Sequence, residues 1–336
     1  MRRFQLYCML VLAIGCSPAR SEPVPASIKT PAAVNEQLES QTATRRELRR
    51  ESGSATKRLS AAIDRVMIIS IDGLRPDLLL RAKMPHVREL CATGSYTFWA
   101  ETTPEAYTLP CHVSMLTGVS AEKHGVTWNE YIEQSYPNVP TLFEIAKQAG
   151  YSTAMAAGKM KFIVFTKPGV LDDYYFPAEE PISDEEVAIQ AIGLLRKHRP
   201  QVMFVHLPGV DTVGHEFGWG SPEQIVAIEM ADRAVGRLLN VLTDLNLNDS
   251  TLVILTADHG GAAKGHDMND PRSRFIPWIA SGPAVRRNFD LTLLGDRTIR
   301  IEDTFATACA FLGLDDGDEG RGKPVLEILD SIERDR

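Results

Sequence analysis

Six residues with carboxylate or imidazole side chains follow short apolar segments of this sequence, and together they have the chemistry of a metal site. Carboxylates and neutral imidazoles are ligands that suit Zn²⁺ and related divalent ions. A single Asp after such a segment is more commonly a helix cap or a turn residue. Here the pattern recurs after three segments, and its members are Asp72, Asp211, His215, Asp258, His259 and His266.

A hydroxyl group that could act as a nucleophile lies elsewhere in the chain. Thr108 precedes an apolar, helix-like stretch that runs to Leu116. Near a metal ion, a hydroxyl can lose its proton and attack an electrophile, and the N-terminus of a helix favours a bound anion such as phosphate. A Thr in this position is also a common N-cap. The residue alone therefore leaves both interpretations open.

The apolar segments predict the elements that position these residues. Continuous apolar segments at 66–71, 153–157, 202–207 and 252–256 are typical of strands buried on both faces. Between them, residues 142–148, 187–196 and 224–245 have helical periodicity, and Ser221-Pro222 predicts the start of the last of these helices. Alternation of strands and helices predicts an α/β fold with a mixed, mostly parallel sheet between helices, which binds ligands beyond the carboxyl ends of its strands.

The composition excludes several classes of protein. The chain has 336 residues, 44% hydrophobic and 24% charged, and a formal charge of -8. An acidic chain is a poor candidate for specific nucleic-acid binding, which depends on basic residues that neutralise phosphates. Five cysteines without a CxxC pair indicate neither a disulfide scaffold nor a cysteine-rich zinc site.

Residues 1–21 are typical of an export signal. Arg2 and Arg3 precede an apolar segment, Phe4 to Ile14, that is too short to span a bilayer comfortably. Two cleavage sites compete: one after Ser21, and one before Cys16, where the sequence is similar to a lipobox and Cys16 would be lipidated. We expect a protein that is secreted across the inner membrane and is either periplasmic or anchored to the envelope by a lipid.

The rest of the chain divides into a linker and one catalytic domain. Residues 22–64 are rich in Pro, Ala, Ser, Thr and basic residues and predict a flexible linker. The catalytic domain is expected at 65–330, with a small insert near 160–182. The oligomeric state is left open.

The motifs around these residues resemble those of a known superfamily. They are the pattern IxxIDGLRPD at 68–77, Thr108 to Gly118 with His124-Gly125 after them, Asp211 to His215, and Asp258 to Gly261 with Gly265-His266. Their order and spacing resemble the alkaline phosphatase superfamily, and within it the type I phosphodiesterase and nucleotide pyrophosphatase family. The resemblance runs from about residue 65 to about residue 326.

The resemblance implies a role for each matching position. Asp72, Asp258 and His259 match the ligands of one metal ion, and Asp211, His215 and His266 match the ligands of a second. Thr108 matches the nucleophile, and Asn129 matches an asparagine that binds a phosphoryl oxygen. The implied chemistry is hydrolysis of a small phosphate ester through a phospho-threonine, with two divalent ions. Zinc is the preferred ion, and manganese and magnesium are alternatives.

Several positions depart from the nucleotide-cleaving members of the family. Those members carry an aromatic residue directly after the nucleophile, where this chain has Leu109. Lys159 and Lys161 follow a predicted strand and could contact a second phosphate charge, which would favour monoesters, although a solvated loop is an equal interpretation. Substrate contacts are therefore expected from Leu109, Lys159 and Lys161.

Related chemistries remain as alternatives. Sulfatases need a Cys or Ser where this chain has Thr108, and an Arg where it has His112. A phosphomonoesterase, a phosphonate hydrolase and a phosphotransferase could all use the same site. A binding protein without activity is disfavoured because all six ligand positions are filled. His198 and His206 match no family position.

Overall fold

Eight strands form one sheet in the computed structural model, which describes residues 62–266, 270–295, 297–317 and 320–329. The strands are β1 (Arg65–Ile71), β2 (Ser95–Glu101), β3 (Thr153–Ala157), β4 (Asp173–Tyr175), β5 (Val202–Leu207), β6 (Thr251–Thr256), β7 (Phe275–Ser281) and β8 (Phe289–Asp290). The predicted signal at 1–21 lies outside the described residues, as does the predicted linker apart from residues 62–64.

The central strand β1 is buried on both faces. Every residue from Val66 to Ile71 is buried, and β5 and β6 pair with β1 in parallel on its two sides. Branched residues suit a strand in such surroundings, and each large aliphatic side chain buried there contributes about 1.5–3 kcal/mol. The four predicted strands are confirmed.

The order of the sheet is β4-β3-β5-β1-β6-β7-β2-β8. Only β7, among these strands, runs antiparallel to its neighbours; the remaining pairs are parallel. The predicted class, an α/β fold with a mixed and mostly parallel sheet between helices, is confirmed.

The connections between strands contain the helices. They are α1 (Pro76–Arg81), α2 (Pro85–Thr93), α3 (Thr108–Thr117), α4 (Ala121–His124), α5 (Leu142–Gln148), α6 (Asp184–His198), α7 (Gly209–Phe217), α8 (Pro222–Asp244), α9 (Pro271–Arg274) and α10 (Asp303–Leu312). The Ser221 hydroxyl accepts a hydrogen bond from the Gln224 N–H, and Pro222 occupies the first turn of α8. The predicted start of this helix is therefore confirmed.

The strand register brings the carboxyl ends of three strands together. Ile71 of β1 pairs with Leu207 of β5, and Ser70 pairs with Thr256 of β6. Asp72 and Asp258 each lie two residues beyond the paired positions Ser70 and Thr256, so the two carboxylates leave the sheet side by side. This is the edge at which open parallel sheets bind ligands.

Residues 160–182, where an insert is predicted, contain the 3₁₀ turn Met160–Phe165 and strand β4, which pairs with β3. The boundaries of the catalytic domain stay a prediction. Cys91, Cys111 and Cys309 are free thiols within the described part of the chain. Among the same residues, no helix combines the length and the apolar character needed to cross a membrane.

Candidate active site

The side chains of Asp72, Asp258 and His259 converge beyond the ends of β1 and β6. The Nε2 atom of His259 lies 3.5 Å from Asp72 Oδ1 and 3.3 Å from Asp258 Oδ2, and all three side chains are fully buried. Asp258 Oδ1 accepts hydrogen bonds from the backbone N–H groups of Gly73 and His259, at 3.0 and 2.9 Å. These bonds hold the Asp258 carboxylate and leave Oδ2 facing the imidazole.

A hydrogen bond assigns the tautomer of His259. Its Nδ1 lies 2.8 Å from the carbonyl oxygen of Gly260, so Nδ1 carries the hydrogen and donates it. Burial lowers the pKa of His259, which keeps the ring neutral. Its Nε2 therefore presents a lone pair to two carboxylate oxygens. Acceptor atoms that face each other in this way are stabilised by a cation between them.

Asp211, His215 and His266 form a second set. Asp211 and His215 lie one turn apart on α7, and His215 Nε2 is 3.3 Å from Asp211 Oδ1. The Nδ1 atom of His215 donates to the carbonyl oxygen of Lys264 over 3.0 Å, the same arrangement as in His259. The ligand atoms of this set all lie within 4.8 Å of one another. The His266 ring stacks on that of His259 with centroids 4.0 Å apart, which places the two sets next to each other.

The two sets fit divalent metal ions. A tetrahedral Zn²⁺ with bonds of about 2.0–2.1 Å holds its ligand atoms about 3.3–3.4 Å apart, close to the separations of 3.3 to 3.5 Å found here. Moreover, within the described residues, five buried atoms of the two sets have no hydrogen-bond partner: Asp72 Oδ1, Asp211 Oδ1, Asp258 Oδ2, His259 Nε2 and His266 Nδ1. Buried polar atoms are rarely left unpaired, so these are the atoms that would bind metal.

Lys159 lies between the two sets. Its ammonium is 2.7 Å from Asp72 Oδ2 and 2.6 Å from Asp211 Oδ2, so it pairs with the oxygens that do not face His259 and His215. Burial would raise the pKa of Asp72, but the Lys159 ammonium and the His206 ring outweigh burial and hold that pKa well below its usual range. Lys159 thus stabilises both carboxylates in their charged form.

The pKa values of Asp258 and His266 shift in the directions that favour their uncharged forms. Burial, together with the negative charges of Asp72 and Asp211, raises the pKa of Asp258 well above its usual range. Burial and the neighbouring His259 lower the pKa of His266 to about 4. The site therefore holds an excess of negative charge and neutral imidazole, an electrostatic state that favours the binding of cations.

Thr108 is the first residue of α3 and is only 2% exposed. Its carbonyl oxygen accepts a hydrogen bond of 2.7 Å from His112 Nδ1, and the same nitrogen lies 3.5 Å from Asp258 Oδ2. On the other side, the ring of Tyr107, the residue before Thr108, is edge-on to that of His266 with centroids 5.6 Å apart. The start of α3 therefore borders both ligand sets.

Asn129 lies beside the start of α3. Its Oδ1 accepts hydrogen bonds from the Leu109 N–H at 2.9 Å and from the Lys161 ammonium at 3.0 Å. Burial and the charge of Lys159 lower the pKa of Lys161. The side chain of Leu109, however, is fully buried in the core. This corrects the expectation that its side chain contacts substrate: Leu109 contributes its backbone to the site.

Two residues near the site were missed by the sequence reasoning. The His206 Nε2 atom lies 2.9 Å from Asp72 Oδ2, although His206 matched no family position. Trp219 is nearly buried, and its indole N–H donates to the carbonyl oxygen of Gly73, next to Asp72, over 2.9 Å. The signals in the sequence were a histidine within an apolar strand and a tryptophan between two glycines, Gly218 and Gly220. Neither of these sequence patterns indicates a function by itself.

A cavity of 380 Å³ opens beside the second ligand set. Lys159, Asp211 and His215 form one side of it, and residues 180–182 form part of another. This cavity is large enough for a small substituent of a substrate, next to the residues that would bind metal.

Cys111 and His198 have structural contacts. Cys111 is fully buried, its thiol lies 3.2 Å from the Thr103 hydroxyl, and burial raises its pKa to about 12. Cys111 is therefore a packed core residue. His198 pairs with Asp173 at the surface, over 2.7 Å.

Comparison with known proteins finds related sequences and a shared fold. The sequence model of the type I phosphodiesterase / nucleotide pyrophosphatase family matches residues 66–271. An uncharacterized pyrophosphatase/phosphodiesterase of Schizosaccharomyces pombe is 26% identical over 218 residues, which are 59% of this chain and 44% of that protein. A venom phosphodiesterase of Macrovipera lebetinus is 26% identical over 245 residues, 66% of this chain and 29% of that protein. Each match thus spans less than half of the relative's own length.

Solved structures show the same fold. An inactive variant of murine ectonucleotide pyrophosphatase / phosphodiesterase 5, in complex with AMP, superposes with a TM-score of 0.66 and 16% identity, over 80% of this chain and 100% of that one. A phosphonate monoester hydrolase of Silicibacter pomeroyi superposes with a TM-score of 0.58 and 14% identity, over 79% and 76% of the two chains. At these identities, the likeness concerns the fold alone.

Proposed function

Because this chain belongs to the type I phosphodiesterase / nucleotide pyrophosphatase family, we propose that it hydrolyses small phosphate esters, with a preference for phosphodiester or pyrophosphate bonds. The observation that carries the proposal is the convergence of unpaired acceptor atoms at the carboxyl edge of the sheet, where Asp211 lies within metal-ligand distance both of His215 and His266 and of Asp72 and His259. Hydrolases that act on such bonds often use two divalent ions to stabilise both the attacking and the leaving oxygen.

The residues for both ions are those described above. Asp72, Asp258 and His259 would hold one ion, and Asp211, His215 and His266 would hold the other. Zinc is our first choice because the ligands are imidazoles and carboxylates at tetrahedral spacing, with manganese and magnesium as alternatives. When bound, such ions lower the pKa of a nucleophile and offset the charge of a leaving oxygen.

Thr108 is the proposed nucleophile. Its hydroxyl oxygen would form a bond to phosphorus while the bond from phosphorus to the leaving oxygen breaks. The hydroxyl proton passes through solvent to the leaving oxygen, which gives a phospho-threonine and a free alcohol or phosphate. Water would then attack the phospho-threonine and release the product. The N-terminus of α3 supports this role, because helix N-termini favour phosphate groups.

Asn129 is proposed to bind a non-bridging phosphoryl oxygen. Because its Oδ1 accepts two hydrogen bonds from the protein, its Nδ2 group is the part left to donate to substrate. Lys159 and Lys161 are the proposed substrate contacts. Lys159 has three N–H donors, and two of them are engaged by Asp72 and Asp211.

A second candidate function is favoured by Lys161. Its ammonium lies 3.0 Å from Asn129 Oδ1, so an additional positive charge stands beside the proposed phosphoryl position. Such a charge suits a dianionic phosphoryl group, as found in a phosphate monoester or a phosphonate. A phosphomonoesterase or a phosphonate hydrolase on the same residues is therefore the alternative. A transferase would differ by passing the phosphoryl group to an alcohol instead of water.

The test compares bis-p-nitrophenyl phosphate with p-nitrophenyl phosphate, for the wild-type chain and two variants, with zinc, manganese or magnesium added. We expect faster cleavage of the diester by the wild type, and loss of turnover with retained metal content in Thr108→Ala. Thr117→Ala is the matched control, since this threonine lies at the other end of α3 and its hydroxyl bonds the Val113 carbonyl. Faster cleavage of the monoester would favour the second candidate, and wild-type rates in Thr108→Ala would refute the nucleophile.

We also propose that the protein is exported and is either periplasmic or lipid-anchored through Cys16. The support is the predicted signal at 1–21 and the lipobox-like sequence before Cys16. Mass spectrometry of the mature N-terminus distinguishes a lipidated Cys16 from cleavage after Ser21, and an intact Met1 would refute both.

A further inference from the structure

The indole ring of Trp219 lies among the segments that follow three strands of the sheet. Its side-chain N–H donates to the carbonyl oxygen of Gly73 over 2.9 Å, and its backbone N–H donates to the carbonyl oxygen of Ala263 over 2.7 Å. Trp219 is 9% exposed. These contacts attach one residue both to the turn after β1 and to the loop after β6.

The ring also fills the space beside three glycines, one after β1, one in α7 and one after β6. A Cβ atom added to Gly261 would lie 2.3 Å from a ring carbon of Trp219, and one added to Gly214 would lie 2.9 Å from the ring. At Gly73 the corresponding distance is 3.2 Å. Real Cβ atoms do not approach a ring carbon as closely as 2.3 Å. The Trp219 ring can therefore occupy this position only because residue 261 has no side chain.

Each of these glycines is close in sequence to candidate metal ligands. Gly73 follows Asp72, Gly214 precedes His215, and Gly261 lies two residues after His259. The ring of Trp219 also packs edge-on against the imidazole of His215, with centroids 5.1 Å apart and an interplanar angle of 87°. It is 6.2 Å from the ring of His266. Trp219 therefore contacts a ligand of the second set directly, and it contacts the first set through the glycines beside Asp72 and His259.

We propose that Trp219 is a positioning residue that sets the separation of the two ligand sets. The proposal rests on the proposed function, since it concerns the residues assigned there to metal ions. The segments beyond the strand ends lie outside the paired residues of the sheet, so packing against the ring adds to the hydrogen bonds that fix their relative position. A tryptophan ring is rigid and loses little conformational entropy when it is ordered. An apolar ring of this kind also limits the access of water to the ligands.

The experiment measures the binding of Co²⁺ to the full chain by absorption spectroscopy and by quenching of tryptophan fluorescence. The variants are Trp219→Phe, Trp219→Leu, Gly261→Ala and the double variant Trp219→Leu/Gly261→Ala. Trp278→Phe is the matched control, because this tryptophan is also buried but donates to the Thr304 hydroxyl over 3.0 Å. Circular dichroism establishes that each variant is folded.

We expect Trp219→Leu to weaken Co²⁺ binding roughly tenfold or more, as substitutions behind metal ligands do, and Trp219→Phe to retain most of the affinity. Gly261→Ala should weaken binding by a similar factor in the wild-type background. In the Trp219→Leu background it should have an effect of about twofold or less, because the ring it collides with is gone. Trp219→Phe should also lose most of the fluorescence quenching that the wild type and Trp278→Phe show.

Two results would overturn the inference: wild-type affinity in Trp219→Leu, or an equal loss from Gly261→Ala in both backgrounds. If Trp219→Leu does not fold, Trp219→Phe serves as the second background. Because the phenyl ring is smaller, Gly261→Ala should weaken Co²⁺ binding less in Trp219→Phe than in the wild-type chain, and an equal loss in both would overturn the inference. Absence of Co²⁺ binding in the wild-type chain would instead refute the proposed function, and the inference with it. The two failures are thus separated by the wild-type measurement.

Discussion

The Nε2 atom of His206 donates a hydrogen bond to Asp72 Oδ2 over 2.9 Å, and both side chains are fully buried. The direction of the bond follows from the other ring nitrogen, since Nδ1 lies 3.3 Å from the Gly158 N–H and accepts from it. Burial lowers the pKa of His206, so the ring is neutral. The bond engages one oxygen of Asp72 and leaves Oδ1 facing His259. A strand histidine thus orients a candidate metal ligand from behind.

His206→Ala should therefore weaken the binding of zinc by about 10–100-fold, the usual effect of removing a hydrogen-bond partner of a metal ligand. Competition with a chromophoric chelator measures the change. His198→Ala is the control, because this histidine pairs with Asp173 at the surface. Equal zinc affinity in the two variants would show that Asp72 needs no support from His206.

Lys159→Met should destabilise the metal-free protein. The ammonium pairs with Asp72 and Asp211, and its side chain is 12% exposed. Removal of one partner from a buried ion pair typically costs about 3–5 kcal/mol, because the remaining charge is left unpaired. The free energy of unfolding in the presence of a chelator is the quantity to measure, by chemical denaturation.

The control for Lys159→Met is Lys167→Met, which removes an ion pair with Glu144 in which the lysine is 55% exposed. Exposed pairs contribute little because water screens them, so this substitution should have a small effect. Added zinc should restore much of the stability lost in Lys159→Met, because a divalent ion replaces the missing positive charge. No difference between the two variants would mean that water already screens the two carboxylates.

Much of the fold could be predicted because its signals are local. The segment from Val66 to Ile71 is apolar without interruption, which indicates a strand buried on both faces, and residues directly after such strands lie at the ligand-binding edge. The role of His206 could not be predicted, since it depends on the register that pairs His206 with Ser70 across two strands. A histidine in an apolar strand otherwise has the pattern of an ordinary core residue.

The burial of the Leu109 side chain could not be predicted from the sequence for a related reason. Every residue of α3 is buried, so its sequence shows no polar face from which the orientation of Leu109 could be inferred. Lys159 follows a strand in a short loop, and its pairing with two carboxylates depends on three separate segments of the chain. Contacts of this kind follow from the assembled sheet and not from any one motif.

Asp184 should make the stability of the protein depend on pH. It is 5% exposed, its Oδ1 accepts a hydrogen bond of 2.7 Å from the Gly209 N–H, and burial, aided by the charge of Asp72, raises its pKa to about 7. The folded pKa lies above the unfolded value of about 3.9, so its contribution is fully present below pH 4. That contribution is lost as the pH rises from about 4 to 7.

Asp184→Asn, which cannot ionise, should therefore gain stability relative to the wild type as the pH rises from 5 to 8. Denaturation of the metal-free proteins at each pH measures this difference. Asp77→Asn is the control: although Asp77 is partly buried, its hydrogen bonds and ion pair with Arg75 lower its pKa, so its charge is constant over this range. A difference between Asp184→Asn and the wild type that does not change with pH would show that Asp184 ionises normally.

Asn129→Ala should lower kcat by about 10²–10³-fold, the effect of removing one donor to a developing negative charge. The reason is geometric. With Oδ1 bonded to Leu109 and Lys161, the Nδ2 group is the part of Asn129 that can donate to a phosphoryl oxygen. Asn129→Asp keeps an acceptor for Leu109 and Lys161 but replaces the donor with negative charge, so its loss should be larger. Steady-state kinetics at saturating metal, with zinc content measured in parallel, tests this order.

Asn248→Ala, which changes an exposed asparagine that bonds Asp249, is the control. If Asn129→Asp were as active as the wild type, Asn129 would act on Lys161 and not on the substrate.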